Sequence, residues 1–239
     1  RDSVASRGLG DVNKRQSAAL NAGCHVLVEK PMCTRASDAR RLVTLADQVD
    51  RHLLVSYGWH HRPLTVQAKQ LMESGVIGSV EHLACHIGSP AKEFLTGVKY
   101  RFDDPPLVAP ELENYADPEL SHGGYGQTQL SHAVGLVTWL TDLEPDAVYA
   151  AMGSGGARGD LHDAVTVHFR GGAVAAISGT AGLPVGARFQ LDLRIFGSEG
   201  ALLYDIDRAR LAVFRHDGTN QEMTVGTDDG AYRCDGPPH

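Results

Sequence analysis

Apolar and polar positions change period partway along this 239-residue chain. Residues 1–13 show no period and read as loop. Lys14 to Ala22 fits a short helix, with Gly23 as its C-cap candidate. His25 to Val28 is a short β-branched apolar run, the pattern of a parallel strand covered on both faces. Ser37 to Val49 places Ala39, Leu42, Val43, Ala46 and Val49 on one helical face. Leu53 to Val55 is a second short strand. Two strands joined through a helix make a βαβ unit, which calls for a parallel sheet with further strands beside it.

Leu64 to Ser74 fits a helix stopped at Gly75, and Glu81 to Ile87 alternates as a half-buried strand. Residues 89–122 hold five prolines and several acids, and read as a long connection. Two readings stay open for it: a loop over an active site, or a solvated insertion. His132, Gly135, Leu136, Trp139 and Leu140 then share one helix face. From Asp146 onward the period is two. Val165 to Phe169, the Gly171–Gly172 turn and Ala173 to Ile177 form a hairpin. Phe189 to Ile195, Ala201 to Tyr204, Leu211 to Val213 and Met223 to Val225 continue the alternation. These strands predict an open, mainly antiparallel sheet with one apolar face, the other being free for a partner subunit.

Composition narrows the classes. With 22 basic against 29 acidic residues the net charge is −7, which argues against a general nucleic-acid or anionic-membrane partner. Cys24, Cys33, Cys85 and Cys234 include no C-x-x-C pair and read as reduced thiols, with no disulfide or zinc framework. No apolar run has the length of a membrane span and no signal peptide is visible, so a cytoplasmic location is expected.

Candidate chemistry begins where the first strand ends. Glu29 and Lys30 fall at its carboxyl end, the place where open α/β sheets take ligands, and Pro31 stops the ladder. A surface ion pair is the plain alternative. Trp59 and His60 leave the second strand toward the same crevice. Adjacent His60 and His61 are a poor metal pair, since neighbours rarely aim at one ion and no carboxylate stands at ligand spacing. No metal site is expected. A lone histidine on an apolar helix face, as His132 is, is most often a hydrogen-bonded core residue. Nothing reads G-x-G-x-x-G after a strand, and Gly153-Ser-Gly-Gly156 reads as a turn.

Four segments resemble one family. Ala-Leu-Asn-Ala-Gly-Cys-His-Val-Leu-Val-Glu-Lys-Pro31 looks like the "AGKHVLVEKP" segment of the Gfo/Idh/MocA oxidoreductases. Residues 74–80 look like the entry into that family's second domain, and Gly197-Ser-Glu-Gly200 like its "GTEGxL" turn. The resemblance implies an α/β fold: the last part of a Rossmann-type parallel sheet over 1–62, then an α+β substrate and oligomerisation domain over 63–239. It implies that the phosphate loop lies before residue 1. It also implies hydride transfer between NAD(P) and a secondary alcohol of a sugar, cyclitol or related polyol, in a homo-oligomer joined through the sheet.

Lys30 is then the first catalytic candidate, lying between cofactor and substrate. Glu29, Lys30, Pro31, Trp59 and His60 are the expected cofactor contacts. The segment 122–132 resembles the family's "GGGxxxDxGxH", so His132 is the second catalytic candidate. The family's Asp is Thr128 here, which cannot carry charge. Lys30, Tyr125, Gln127, Thr128, Gln129 and His132 are expected to line the substrate site. A non-catalytic nucleotide or sugar sensor, or an inactive fragment, are the alternatives.

Overall fold

A computed structural model describes residues 9–98 and 112–224. The chain runs α1 (Leu9–Asn21), β1 (Val26–Glu29), α2 (Ala36–Gln48), β2 (Leu53–Ser56), α3 (Pro63–Glu73) and β3 (Val80–Gly88). Short helices α4 (Lys92–Leu95), α5 (Leu112–Ala116) and α6 (Pro118–Ser121) precede α7 (Ser131–Thr141). The strands β4 (Pro145–Gly153), β5 (His162–Phe169), β6 (Val174–Thr180), β7 (Gln190–Gly197), β8 (Gly200–Asp205), β9 (Arg210–Arg215) and β10 (Gln221–Thr224) complete it. The expected mixed α/β class is what is found.

β1 and β2 pair in parallel, Val26 opposite Leu53 and Glu29 opposite Ser56. Both α1 and α2 pack on one face of this pair, burying Leu20, Leu42 and Ala46 against Val26 and Leu53. The strands are therefore covered on one face, and the expectation of two is corrected among the described residues. Leu27 and Leu54 on the other face are 72% and 59% exposed. Helix α1 also starts earlier than its apolar period announced. Its inward positions include the polar Asn13 and Gln16, which hide the helical stripe from a hydrophobicity pattern. The connection 89–122 is not wholly irregular, since α4, α5 and α6 punctuate it; residues 99–111 lie outside the described residues.

The large sheet has the order β10-β9-β8-β7-β3-β6-β5-β4. All its pairs are antiparallel except β3 with β6, where Cys85 lies opposite Ile177. Its inner face meets α3 and α7. Leu83, Cys85 and Ile87 of β3, Leu191, Leu193 and Ile195 of β7, and Ala133, Leu136, Val137 and Leu140 of α7 are all buried there. Truncating one such leucine to alanine costs about 2–5 kcal/mol. Pro63 occupies the first turn of α3, where its missing N–H leaves no bond unmade. A buried hydrogen bond of 2.7 Å joins Thr65 of α3 to the Tyr204 hydroxyl on β8. This packing fixes α7, and with it the segment leading into α7, against β3 and α3.

Candidate active site

Lys30 follows β1 directly and turns inward across the carboxyl ends of β1 and β2. Its ammonium donates to the main-chain carbonyl of Thr128. That carbonyl belongs to a π-helical turn, Gly126–Leu130, which runs straight into α7. Wide turns of this kind are frequent at functional sites. Burial brings the Lys30 pKa down to about 8, although neighbouring Glu29 pulls the other way. The Lys30–Pro31 peptide is cis.

His132 lies in the first turn of α7 and is enclosed by rings from the turn after β2. The Trp59 ring lies 4.6 Å away centroid to centroid, and Tyr57 meets His132 edge-on at 6.2 Å. Trp59 leans in turn on Phe189, at 5.2 Å. Burial, then the Lys30 charge, then His60 push the His132 pKa down to about 3. The imidazole is therefore neutral at ordinary pH, available as a hydrogen-bonding group beside an amine whose pKa is lowered to about 8.

The helix face that carries His132 continues through Gly135 and Trp139. A Cβ on Gly135 would lie 2.7 Å from Tyr57 Cε1, so the missing side chain is what lets Tyr57 settle on α7. His60 is sandwiched between Trp139 at 4.7 Å and Tyr57 at 5.1 Å, both nearly parallel to it. It also donates to the Gly135 carbonyl, and burial with neighbouring His61 lowers its pKa to about 4. With both ring faces covered, His60 acts as a packing wedge between Tyr57 and Trp139. Its Nε2 is buried without a hydrogen-bond partner, so the expected cofactor contact stays a proposal for the ring edge.

Tyr125 lies deeper than its expected substrate contact implied. It is fully buried, its ring under Gly179 of β6, where a Cβ would come within 2.7 Å of Tyr125 Cε1. Its hydroxyl donates to the Ile87 carbonyl at 3.4 Å and accepts from Ser89 at 3.2 Å, so it is spent inside the core. Thr128 contributes differently from what its side chain promised. Its hydroxyl donates back to the Gly124 carbonyl at 2.9 Å, and its own carbonyl is what faces Lys30. Gln127 and Gln129 flank it, half-buried. Glu29 is exposed at the strand end, and Pro31 is half-buried beyond Lys30.

Lys30, Trp59, Thr128 and His132 thus come together. Tyr57, Phe189 and Trp139 complete the enclosure and were not singled out as site residues. Asp160 and Asp163, below the Gly124–Gly126 turn, were missed altogether. The signal for Asp163 was present: it takes the first inward position of β5, ahead of Val165, Val167 and Phe169. Among the described residues no group of three or more His, Cys, Asp or Glu could hold a metal ion. Likewise no helix there is long and apolar enough to cross a membrane.

Residues 65–203 match the model of the GFO/IDH/MocA C-terminal domain. Residues 5–57 match that of an oxidoreductase family with an NAD-binding Rossmann fold. A levoglucosan dehydrogenase of Pseudarthrobacter phenanthrenivorans is 23% identical over 203 residues, covering 80% of this chain and 52% of that protein. A dTDP-3,4-didehydro-2,6-dideoxy-alpha-D-glucose 3-reductase of Streptomyces violaceoruber is 35% identical over 85 residues, 36% of this chain and 25% of the reductase. An inositol dehydrogenase homolog from Azotobacter vinelandii, solved with NAD+, superposes with a TM-score of 0.76 at 21% identity. That match takes in 98% of this chain and 61% of the other, so the chain spans about half of the longer relatives it matches.

Proposed function

Because this chain belongs to the Gfo/Idh/MocA family, we propose that it works in an NAD(P)-dependent dehydrogenase acting on a secondary alcohol of a sugar, cyclitol or related polyol. The observation that carries this reading is Lys30, held by the Thr128 carbonyl beside neutral His132, with its pKa lowered to about 8. The relatives named for levoglucosan, D-xylose and dTDP-sugar chemistry support the substrate class.

The residues fit a nicotinamide at this place. Lys30 follows the carboxyl end of β1, one of two parallel strands, and Trp59 packs on His132 beside it. When bound, the nicotinamide supplies the hydride acceptor or donor. The chain's own part is proton handling and orientation. An alcohol giving up hydride must lose its hydroxyl proton, and the Lys30 amine takes it; ~10% of the amine is free at pH 7 for a pKa of about 8. Neutral His132 holds the substrate oxygen by a hydrogen bond and adds no competing charge. Trp59 and Tyr57 exclude water from the imidazole. Gln127 and Gln129 stand on the same turn as hydrogen-bonding partners for further hydroxyls.

The same reading takes residues 1–62 as part of the dinucleotide-binding domain and 63–239 as the substrate domain. It pairs two copies of the chain through the outer face of the large sheet. There Phe196, Ala201 and Phe214 fall in one cross-strand row, Phe196 and Phe214 being 40% and 42% exposed. Cytoplasmic residence follows from dependence on a recycled nicotinamide pool.

The test is turnover on a panel of sugars and polyols with NAD+ and NADP+, followed by the absorbance of reduced cofactor. Activity should rise with pH through about 8 as Lys30 loses its proton. Cofactor binding without turnover on any member would favour the sensor reading. That reading has one supporting observation: Thr128, which cannot carry charge, stands where the resembling family motif has Asp.

A further inference from the structure

Asp160, in the turn before β5, gathers three consecutive amides of the segment that leads to the site. Its Oδ1 accepts from the Gly124 N–H at 3.1 Å and its Oδ2 from the Gly126 N–H at 2.6 Å. Its main-chain carbonyl accepts from the Tyr125 N–H at 2.8 Å. A Cβ on Gly124 would fall 2.3 Å from that carbonyl oxygen, so glycine alone permits the approach.

Asp163 lies behind it, 4% exposed on β5. A Cβ on Gly126 would be 3.3 Å from Asp160 Oδ2 and 3.4 Å from Asp163 Oδ2, so the two carboxyls converge on one glycine. As a pair of carboxylates neither has a hydrogen to give, and both Asp163 oxygens are then buried without a partner. Protonated, Asp163 can donate to Asp160. Burial first, then the Asp160 charge, push the Asp163 pKa up to about 7, which supports one shared proton near neutrality. Among the described residues Tyr125 also faces Asp163, held protonated by burial with a pKa of about 12.

The connection to Lys30 runs through the same turn. The Thr128 N–H and hydroxyl both bond the Gly124 carbonyl, at 3.0 and 2.9 Å, and the Thr128 carbonyl receives Lys30. We propose that Asp160, backed by Asp163, is a positioning residue for Lys30: it fixes the Gly124–Gly126 turn, and the turn fixes the Thr128 carbonyl that keeps the lysine in its dry position. Lys30 matters here because of the proposed oxidoreductase reading, yet the direct readout needs no turnover.

The sequence has five lysines, so 13C-lysine labelling resolves them and Lys30→Arg assigns the Lys30 signal. In the wild type this signal should titrate near 8. Asp160→Asn turns an amide donor toward one of the clamped N–H groups. It should move the Lys30 titration up by about one pH unit or more, toward the ordinary lysine value. Hydrogen exchange at Gly124 and Gly126 should quicken at least ~10-fold in the same variant. Asp163→Asn, whose amide can still donate to Asp160, should keep Lys30 near its wild-type value. A folded Asp160→Asn protein whose Lys30 titrates as in the wild type overturns the proposal.

Should Asp160→Asn not fold, the wild type still decides. The Gly124, Tyr125 and Gly126 amides, all held by Asp160, should exchange slowly in the wild type, and exchange at the rate of an open loop overturns the proposal. The two readings fail separately. A displaced Lys30 titration in a protein that turns over no polyol defeats the oxidoreductase reading alone. An undisplaced one in an active enzyme defeats the positioning role alone.

Discussion

Lys30 donates its ammonium hydrogen to the main-chain carbonyl of Thr128, 98 residues further along the chain. The bond ties the end of the small parallel sheet to the turn that begins α7. It also takes the lysine out of water, and burial is the larger cause of its lowered pKa.

Lys30→Met keeps most of the side-chain volume and removes the base. We expect kcat to fall by ~10²-fold or more, with cofactor affinity little changed. The acid limb of the wild-type pH–rate profile, inflecting near 8, should flatten in the residual activity. Near wild-type turnover in this variant would discard Lys30 as the base.

His132→Asn should lower kcat/KM through loss of the hydrogen bond to the substrate oxygen. Since the His132 pKa is about 3, the pH–rate profile between 5 and 8 should keep its shape. A limb near 6.5 that disappears in the variant would show that His132 does titrate during turnover.

His60 and His132 also affect stability. Their folded pKa values of about 4 and about 3 lie below the unfolded value near 6.5, so the unfolded chain binds more protons in between. Their contribution is complete above about 6.5 and is lost as pH falls toward 4 and below. The slope should be on the order of 1 kcal/mol per pH unit. Asp163 and Asp207, with raised pKa values of about 7 and about 6, act in the opposite sense over the overlapping window. Thermal melts of wild type and His60→Asn from pH 4 to 7 separate the effects, and only the histidine part should shrink in the variant.

Tyr125→Phe tests the burial of a residue expected at the substrate. Loss of the bonds to Ser89 and the Ile87 carbonyl should destabilise by about 1–2 kcal/mol, read as a lower Tm. Turnover should stay within ~2-fold. A large rise in KM with unchanged Tm would return Tyr125 to the substrate site.

Gly135→Ala puts a methyl where Tyr57 Cε1 would be 2.7 Å away. The ring must shift off α7, at about 1–3 kcal/mol. Because Tyr57 packs on both His60 and His132, kcat should fall together with stability. An unchanged near-ultraviolet circular dichroism spectrum with full activity would show that the ring stack does not shape the site.

Local patterning carried much of the fold in the sequence itself. Alternation along β5, β6 and β7 put Val167, Ile177 and Leu193 inward, because successive strand side chains face opposite sides whatever lies around them. The face holding His132, Gly135, Leu136 and Trp139 followed in the same way from helical spacing, and Lys30 from its place at a strand end. Tertiary structure decided which atoms of those residues do the work. No periodicity shows that Thr128 serves through its carbonyl, or that His60 is closed between two rings. Nor does one show that the Asp160 and Asp163 carboxyls converge on Gly126. Those outcomes depend on desolvation and on neighbours up to 98 positions apart, which only the packed chain brings within reach.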